Sequence, residues 1–148
     1  MSRTFFTDRD LGKALPATLR SAGFTVERFD DHFGTTTADE DWLATAGRKR
    51  WVVLTHDSGI RYKPTERDAV MEHGVGLLIL VGAHPHAALA QNLVNSRATI
   101  EAFLDANPPR FIAKLYLADA AARARDASAS GRIVMWLSHA EWKRRPRA

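Results

Sequence analysis

Residues 51–57 read Trp-Val-Val-Leu-Thr-His-Asp, and this stretch decides the fold. Four consecutive apolar residues are too few for a helix. Their unbroken run marks a strand covered on both faces, which in ordinary domains means a parallel sheet between helical layers. The run then ends on polar residues: Thr55, His56, Asp57. Working outward, Val75 to Val81 is a second buried strand, Phe111 to Leu117 a third, and Arg3 to Thr7 a fourth that ends at Asp8. Phe24 to Phe29 alternates apolar and polar residues as a strand does.

Helical spacing fills the intervals. Leu11, Leu15, Leu19 and Ala22 recur until Gly23, and Asp30 to Ala38 is a loop. Asp39 stands as a helix cap before Trp42, Leu43 and Ala46, with Arg48, Lys49 and Arg50 closing that helix as its dipole prefers. Pro64 suits the entry to a helix over Thr65 to His73. Pro85 to Ala106 reads as one helical segment through Leu89, Leu93, Val94, Ile100, Phe103 and Leu104, stopped by Asn107, Pro108 and Pro109. Beyond Leu117 an Ala/Arg/Ser-rich stretch reads as weakly helical or disordered, followed by Ile133 to Leu137 as an extra C-terminal strand and a basic tail of Lys143, Arg144, Arg145 and Arg147. Parallel neighbours require right-handed crossovers, so the expected architecture is a three-layer α/β/α sandwich with a central, mainly parallel sheet of about five strands. One domain over residues 1–148 is expected, with a core at about 3–117 and an extension at 118–148.

Composition narrows the chemistry. The 148 residues are 45% hydrophobic and 26% charged, the balance of a globular chain able to bury a core. Cysteine is absent, which removes thiolate zinc sites, cysteine nucleophiles and disulfides, and any metal must sit on oxygen or imidazole. The apolar runs are too short to cross a bilayer and no signal-like segment opens the chain, so a cytoplasmic location and no membrane partner are expected. A formal charge of +4 favours a polyanionic partner through long-range attraction.

In parallel sheets the ligand site lies beyond the carboxyl ends of the strands. Three segments deliver acids there: Asp8, with Asp10, after the first strand, Asp39 at the helix after the second, and Asp57 after the third. Ionised carboxylates 4 to 6 Å apart repel by about 3 to 4 kcal/mol at an effective dielectric near 20. Their convergence therefore demands a proton or a cation. Hard oxygen ligands suit Mg²⁺ or Mn²⁺, ions that also bind phosphate oxygens and can serve in-line hydrolysis of a phosphodiester.

FFTDRDLG at 5–12, DDHFG at 30–34, DEDW at 39–42, WVVLTHDSGIR at 51–61 and KPTE at 63–66 together resemble the PIN-like ribonuclease toxins of the VapC type. The resemblance runs in consistent order from about Thr4 to Leu80. It implies a metal-dependent endoribonuclease of a type II toxin–antitoxin system, with Mg²⁺ or Mn²⁺ on Asp8, Asp39 and Asp57, RNA as substrate and a cognate antitoxin protein as partner; a second copy of the chain, forming a homodimer, is a further candidate partner. A fourth acid, usual in that family, does not follow the strand at 75–81, where Gly82, Ala83 and His84 stand. Asp10 and Glu66 are the candidates for the missing ligand.

His32, His56, Arg61 and Lys63 sit in loops expected beside the acids, with Lys63 and Arg61 placed to orient phosphate. Trp42 and Trp51 fit core positions, whereas Trp136 and Trp142, near the basic tail, read as an interaction surface. Three rival readings stay open. A phospho-accepting receiver domain would use Asp8, Asp10, Asp57 and Lys114. A haloacid-dehalogenase-like phosphatase would use Asp8, Asp10 and Thr55. A catalytically degenerate PIN-like module would bind RNA or a partner without cutting.

Overall fold

The computed structural model describes residues 3–57, 59 and 63–145. Six strands form one sheet: β1 (Thr4–Thr7), β2 (Thr25–Arg28), β3 (Val52–Thr55), β4 (Gly76–Leu80), β5 (Phe111–Tyr116) and β6 (Arg132–Ser138), in the order β2-β1-β3-β4-β5-β6. The first five are parallel, and β6 runs antiparallel to β5 along one edge. All four residues of β3 and all five of β4 are buried, as their unbroken apolar sequences require.

Alternation within the strands sorts the side chains into two layers. Phe5, Val52, Leu54, Leu78, Leu80, Ala113 and Leu115 face α1 (Ala14–Ser21), α4 (His86–Asn95) and α5 (Arg97–Ala106). Phe6, Val53, Leu77, Ile79 and Ile112 face α2 (Asp39–Arg48), α3 (Pro64–Glu72) and α7 (His139–Arg144). On this second face Phe6 stacks on Trp51 with ring centroids 5.2 Å apart, and Trp42 lies 5.6 Å away. Trp42 and Trp51 are thus core residues, as their positions foretold.

Several expectations need correction. The helical segment at 85–106 is two helices, because Ser96 leaves helical geometry (ψ 9°). Its buried hydroxyl donates to Asn92 Oδ1 at 3.2 Å and accepts from the Gly131 amide at 2.8 Å, a polar knot that bends the chain. The Ala/Arg-rich stretch folds as a short helix, α6 (Ala120–Arg125), capped by Asp119. The basic tail is helical through Arg144, since Ser138 and Glu141 form a capping box at the start of α7. Trp142 is not a surface residue: it is 8% exposed, packed under the sheet, and its indole N–H donates to Asp68 Oδ1 at 2.7 Å. Trp136 is partly buried against the same layer. No helix among the described residues is long and apolar enough to cross a membrane.

From β1 the chain steps to β2 on one side, then crosses over to β3 on the other. The crevice at such a reversal is where side chains from neighbouring loops can meet a ligand. The parallel register, with Thr7 beside Leu54 and Leu54 beside Leu78, brings these strands out at nearly one level.

Candidate active site

Thr55 is the pivot of the crevice. It ends β3 fully buried, and its hydroxyl donates to Asp8 Oδ2 at 3.0 Å and leans toward Asp10 Oδ2 at 3.4 Å. The same oxygen accepts from the Asp57 amide at 3.1 Å. One hydroxyl thereby gathers three acidic positions. Asp8 is fixed further because its own amide donates to Leu54 O (3.1 Å), while its carboxylate caps the turn at 9–11 by accepting from the Arg9 amide (2.7 Å).

Asp10 is held from the other strand: the His56 amide donates to its Oδ2 at 3.1 Å. The His56 ring reaches across to Gly82, with Nε2 2.6 Å from the carbonyl oxygen. Asp57 closes its own loop, accepting from the Gly59 amide at 2.9 Å.

Asp39 arrives from the other helical layer. It is the first residue of α2 rather than its cap, and Ala38 occupies the cap position. The carboxylate is turned instead onto Trp42, whose indole N–H donates to Oδ1 at 2.9 Å, and onto Glu66 of α3, with which it shares a hydrogen bond. Lys63, just ahead of α3, places its ammonium 3.6 Å from Glu66 Oε1. Arg9 adds a second cation near Asp39 while its guanidinium donates to Thr35 O at 2.7 Å, tethering the loop that leads into α2.

Crowding shows in the acidities. Burial, then the Asp10 charge, then that of Asp39, pushes Asp8 up to about 6 despite the hydrogen bonds from Arg9 and Thr55. Glu66 is pushed up to about 7 by burial first, then by its hydrogen bond to Asp39 and by the charges of Asp39 and Asp57. Burial also raises Asp10, with Asp57 contributing. Asp39 alone moves down, held charged by the hydrogen bond from Glu66, by Trp42 and by Lys63 and Arg9. The two carboxyl groups titrate as a pair, with the proton favoured on Glu66 and the charge on Asp39.

The structure thus brings together Asp8, Asp10, Asp39, Asp57, Glu66, Lys63 and His56. His32 is drawn elsewhere: its ring contacts Glu27 at 3.0 Å and lies 4.9 Å from Trp51, at the amino end of β3 rather than the carboxyl end. Arg61 lies outside the described residues. Lys114 sits inside β5 with its ammonium 5.6 Å from the Tyr116 ring, so the receiver reading loses its cation. Sequence reading overlooked the positioning roles of Thr55, Trp42 and Arg9. Thr55 had a signal, a hydroxyl residue closing an otherwise apolar strand two positions before an acid.

Among the described residues no three acidic or histidine side chains already enclose a point where an ion could sit. The donor set nevertheless suits a hard divalent ion. Its ligands are carboxylate oxygens, burial and mutual repulsion disfavour their uncompensated charge, and Mg²⁺ needs only one or two direct carboxylates because it keeps several waters.

Comparison with known proteins identifies the family. The family described as "PIN like domain" matches residues 3–82, a span that contains every acid of the cluster. A Mycobacterium tuberculosis protein named "Putative ribonuclease VapC45" is 35% identical over 77 residues, covering 49% of this chain and 56% of that protein. The chain therefore spans little more than half of this relative's length. No solved structure matches the chain.

Proposed function

We propose, from the premise that this chain belongs to the PIN-like domain family, that it is an endoribonuclease toxin of a type II toxin–antitoxin system that hydrolyses RNA phosphodiester bonds with Mg²⁺ or Mn²⁺. One observation carries the reading: carboxylates from the ends of β1 and β3 and from α2 and α3 meet in one crevice, where burial and then their mutual repulsion raise the pKa of Asp8 and Glu66. Such an arrangement costs stability and is retained where a cation offsets the charge.

Asp8, Asp39 and Asp57 would hold the ion, with Asp10 and Glu66 completing its surroundings. A bound divalent ion supplies neutralisation of phosphate charge and a lowered pKa for the attacking water. The chain's own contributions are positional. Thr55 sets the spacing of Asp8, Asp10 and Asp57. Trp42 aims Asp39. Lys63, 59% exposed beside Glu66, is free to turn its ammonium to a phosphate oxygen once the ion has taken over the pairing of the acids. The same reading carries a cytoplasmic location, a cognate antitoxin that keeps the crevice closed to RNA, and a homodimer.

The test is cleavage of single-stranded RNA in Mn²⁺. The wild-type chain should cut, and Asp8→Asn and Asp57→Asn should each lower the rate by at least about 100-fold while keeping the fold by circular dichroism. A folded wild-type protein that binds RNA without cutting it would favour the degenerate module.

A further inference from the structure

A cleft of about 500 Å³ opens beside the carboxylates, lined by Gly82 and His84 after β4, Tyr116 and Asp119 at the end of β5, Arg123 of α6 and Arg132 at the start of β6. Apart from Gly82 these residues lie beyond the stretch that matches the family. The cleft touches the acidic crevice through one side chain. His56 donates its amide to Asp10 at 3.1 Å, and its ring meets the carbonyl of Gly82, a wall residue, at 2.6 Å. Gly82 has φ +106°, and a Cβ there would come within 2.6 Å of the His84 ring, so the wall requires glycine.

The charge of the cleft is opposite to that of the crevice. Among the described residues neither Arg123 nor Arg132 has a carboxylate within ion-pair distance. Arg132 lies over Tyr116, its guanidinium carbon 4.4 Å from the ring centroid. A guanidinium over an aromatic ring keeps N–H groups that can donate to two oxygens of a phosphate. Asp119 is already engaged, accepting from the Ala122 amide at 2.7 Å. Through His56 the cleft adjoins the carboxylates, so an anionic chain whose reacting phosphate lies there can run on into a cleft that carries positive charge. Its volume is that of a small-ligand pocket, enough for one nucleotide. A base still stacked and paired in a duplex has no way into it.

Resting on the ribonuclease reading above, we propose that this cleft seats one unpaired nucleotide adjacent to the scissile phosphodiester, with Arg123 and Arg132 on its phosphate. The C-terminal extension thereby becomes part of the substrate site.

The test uses the full chain in EDTA, so that nothing is cleaved, and a short fluorescein-labelled single-stranded RNA read by anisotropy over a range of salt concentrations. Arg123→Ala and Arg132→Ala should each weaken binding and flatten the plot of log K against log salt by about 0.7. Arg48→Ala, which removes an equal charge at the C-terminus of α2, should leave that slope unchanged. Duplex RNA of the same sequence should bind more weakly than the single strand and be indifferent to both cleft substitutions. The proposal is overturned if the cleft variants behave like Arg48→Ala, if duplex binds as well as single strand, or if the wild type does not bind single-stranded RNA. Cleavage in Mn²⁺ reports separately on the carboxylates, so loss of cutting with the slopes as predicted would sink the nuclease reading and leave the cleft standing.

Discussion

Thr55 concentrates the chemistry of the crevice in one hydroxyl. Its proton goes to Asp8 and its lone pair to the Asp57 amide, from a side chain that is itself fully buried. Thr55→Val keeps the shape and deletes both bonds, leaving the Asp57 amide without its partner and Asp8 with one fewer donor. The expected loss is about 1–3 kcal/mol in chemical denaturation, together with reduced RNA cleavage, while Thr55→Ser should restore most of both. A reading of residues in order could find Asp8, Asp39 and Asp57, because acids after strands stand out against apolar runs. It could not find that Trp42, assigned to packing by its helical position, also aims Asp39. Nor could it find that His32 turns away to Glu27, since loop position says nothing of direction.

At the scale of elements, α2 and α3 must lie close together for Asp39 to meet Glu66. Gly47 makes that possible. A Cβ at this position would fall 1.9 Å from the His73 carbonyl oxygen at the end of α3, a contact that backbone cannot yield without moving a helix. Gly47→Ala would ordinarily strengthen a helix; here it should destabilise by at least about 1–3 kcal/mol and lower RNA cleavage by separating Asp39 from Glu66. Melting curves and cleavage rates check both effects. If the variant is as stable as the wild type, the close approach of the helices is wrong. The strands were legible because unbroken apolar runs in β3 and β4 have one physical meaning. The break at Ser96 was not, because it depends on the amide of Gly131, which is distant in sequence. The helix α7 was hidden differently. Its capping pair Ser138 and Glu141 is visible in the chain, but the basic residues that follow drew the reading toward a solvated tail.

At the scale of the whole molecule, the order of the sheet places a topological reversal between β1 and β3, and the acids collect there. Their burial and mutual repulsion set the pH dependence. Folding raises Asp8 to about 6 and Glu66 to about 7, above the ordinary carboxyl values near 4, so in the folded state their charged forms are disfavoured. The stability associated with these groups is whole below about pH 4 and falls as the pH rises, with the loss complete above about 7. A divalent ion acts in the opposite sense and is most effective where the acids are ionised. Mn²⁺ should therefore stabilise the protein far more at pH 8 than at pH 5.

The most direct measurement is thermal unfolding at pH 8 of the wild-type protein and of Asp8→Asn, each with and without Mn²⁺. Without the ion, Asp8→Asn should melt at or above the wild type, since the asparagine oxygen can still accept from Arg9, the Thr55 hydroxyl can turn its proton to Asp10 Oδ2, and the repulsion by Asp10 and Asp39 disappears. With Mn²⁺ in large excess the wild type should rise by roughly 5 °C and Asp8→Asn by much less. Equal shifts in the two proteins, or no shift in the wild type, would contradict a divalent-ion site built on the converging carboxylates.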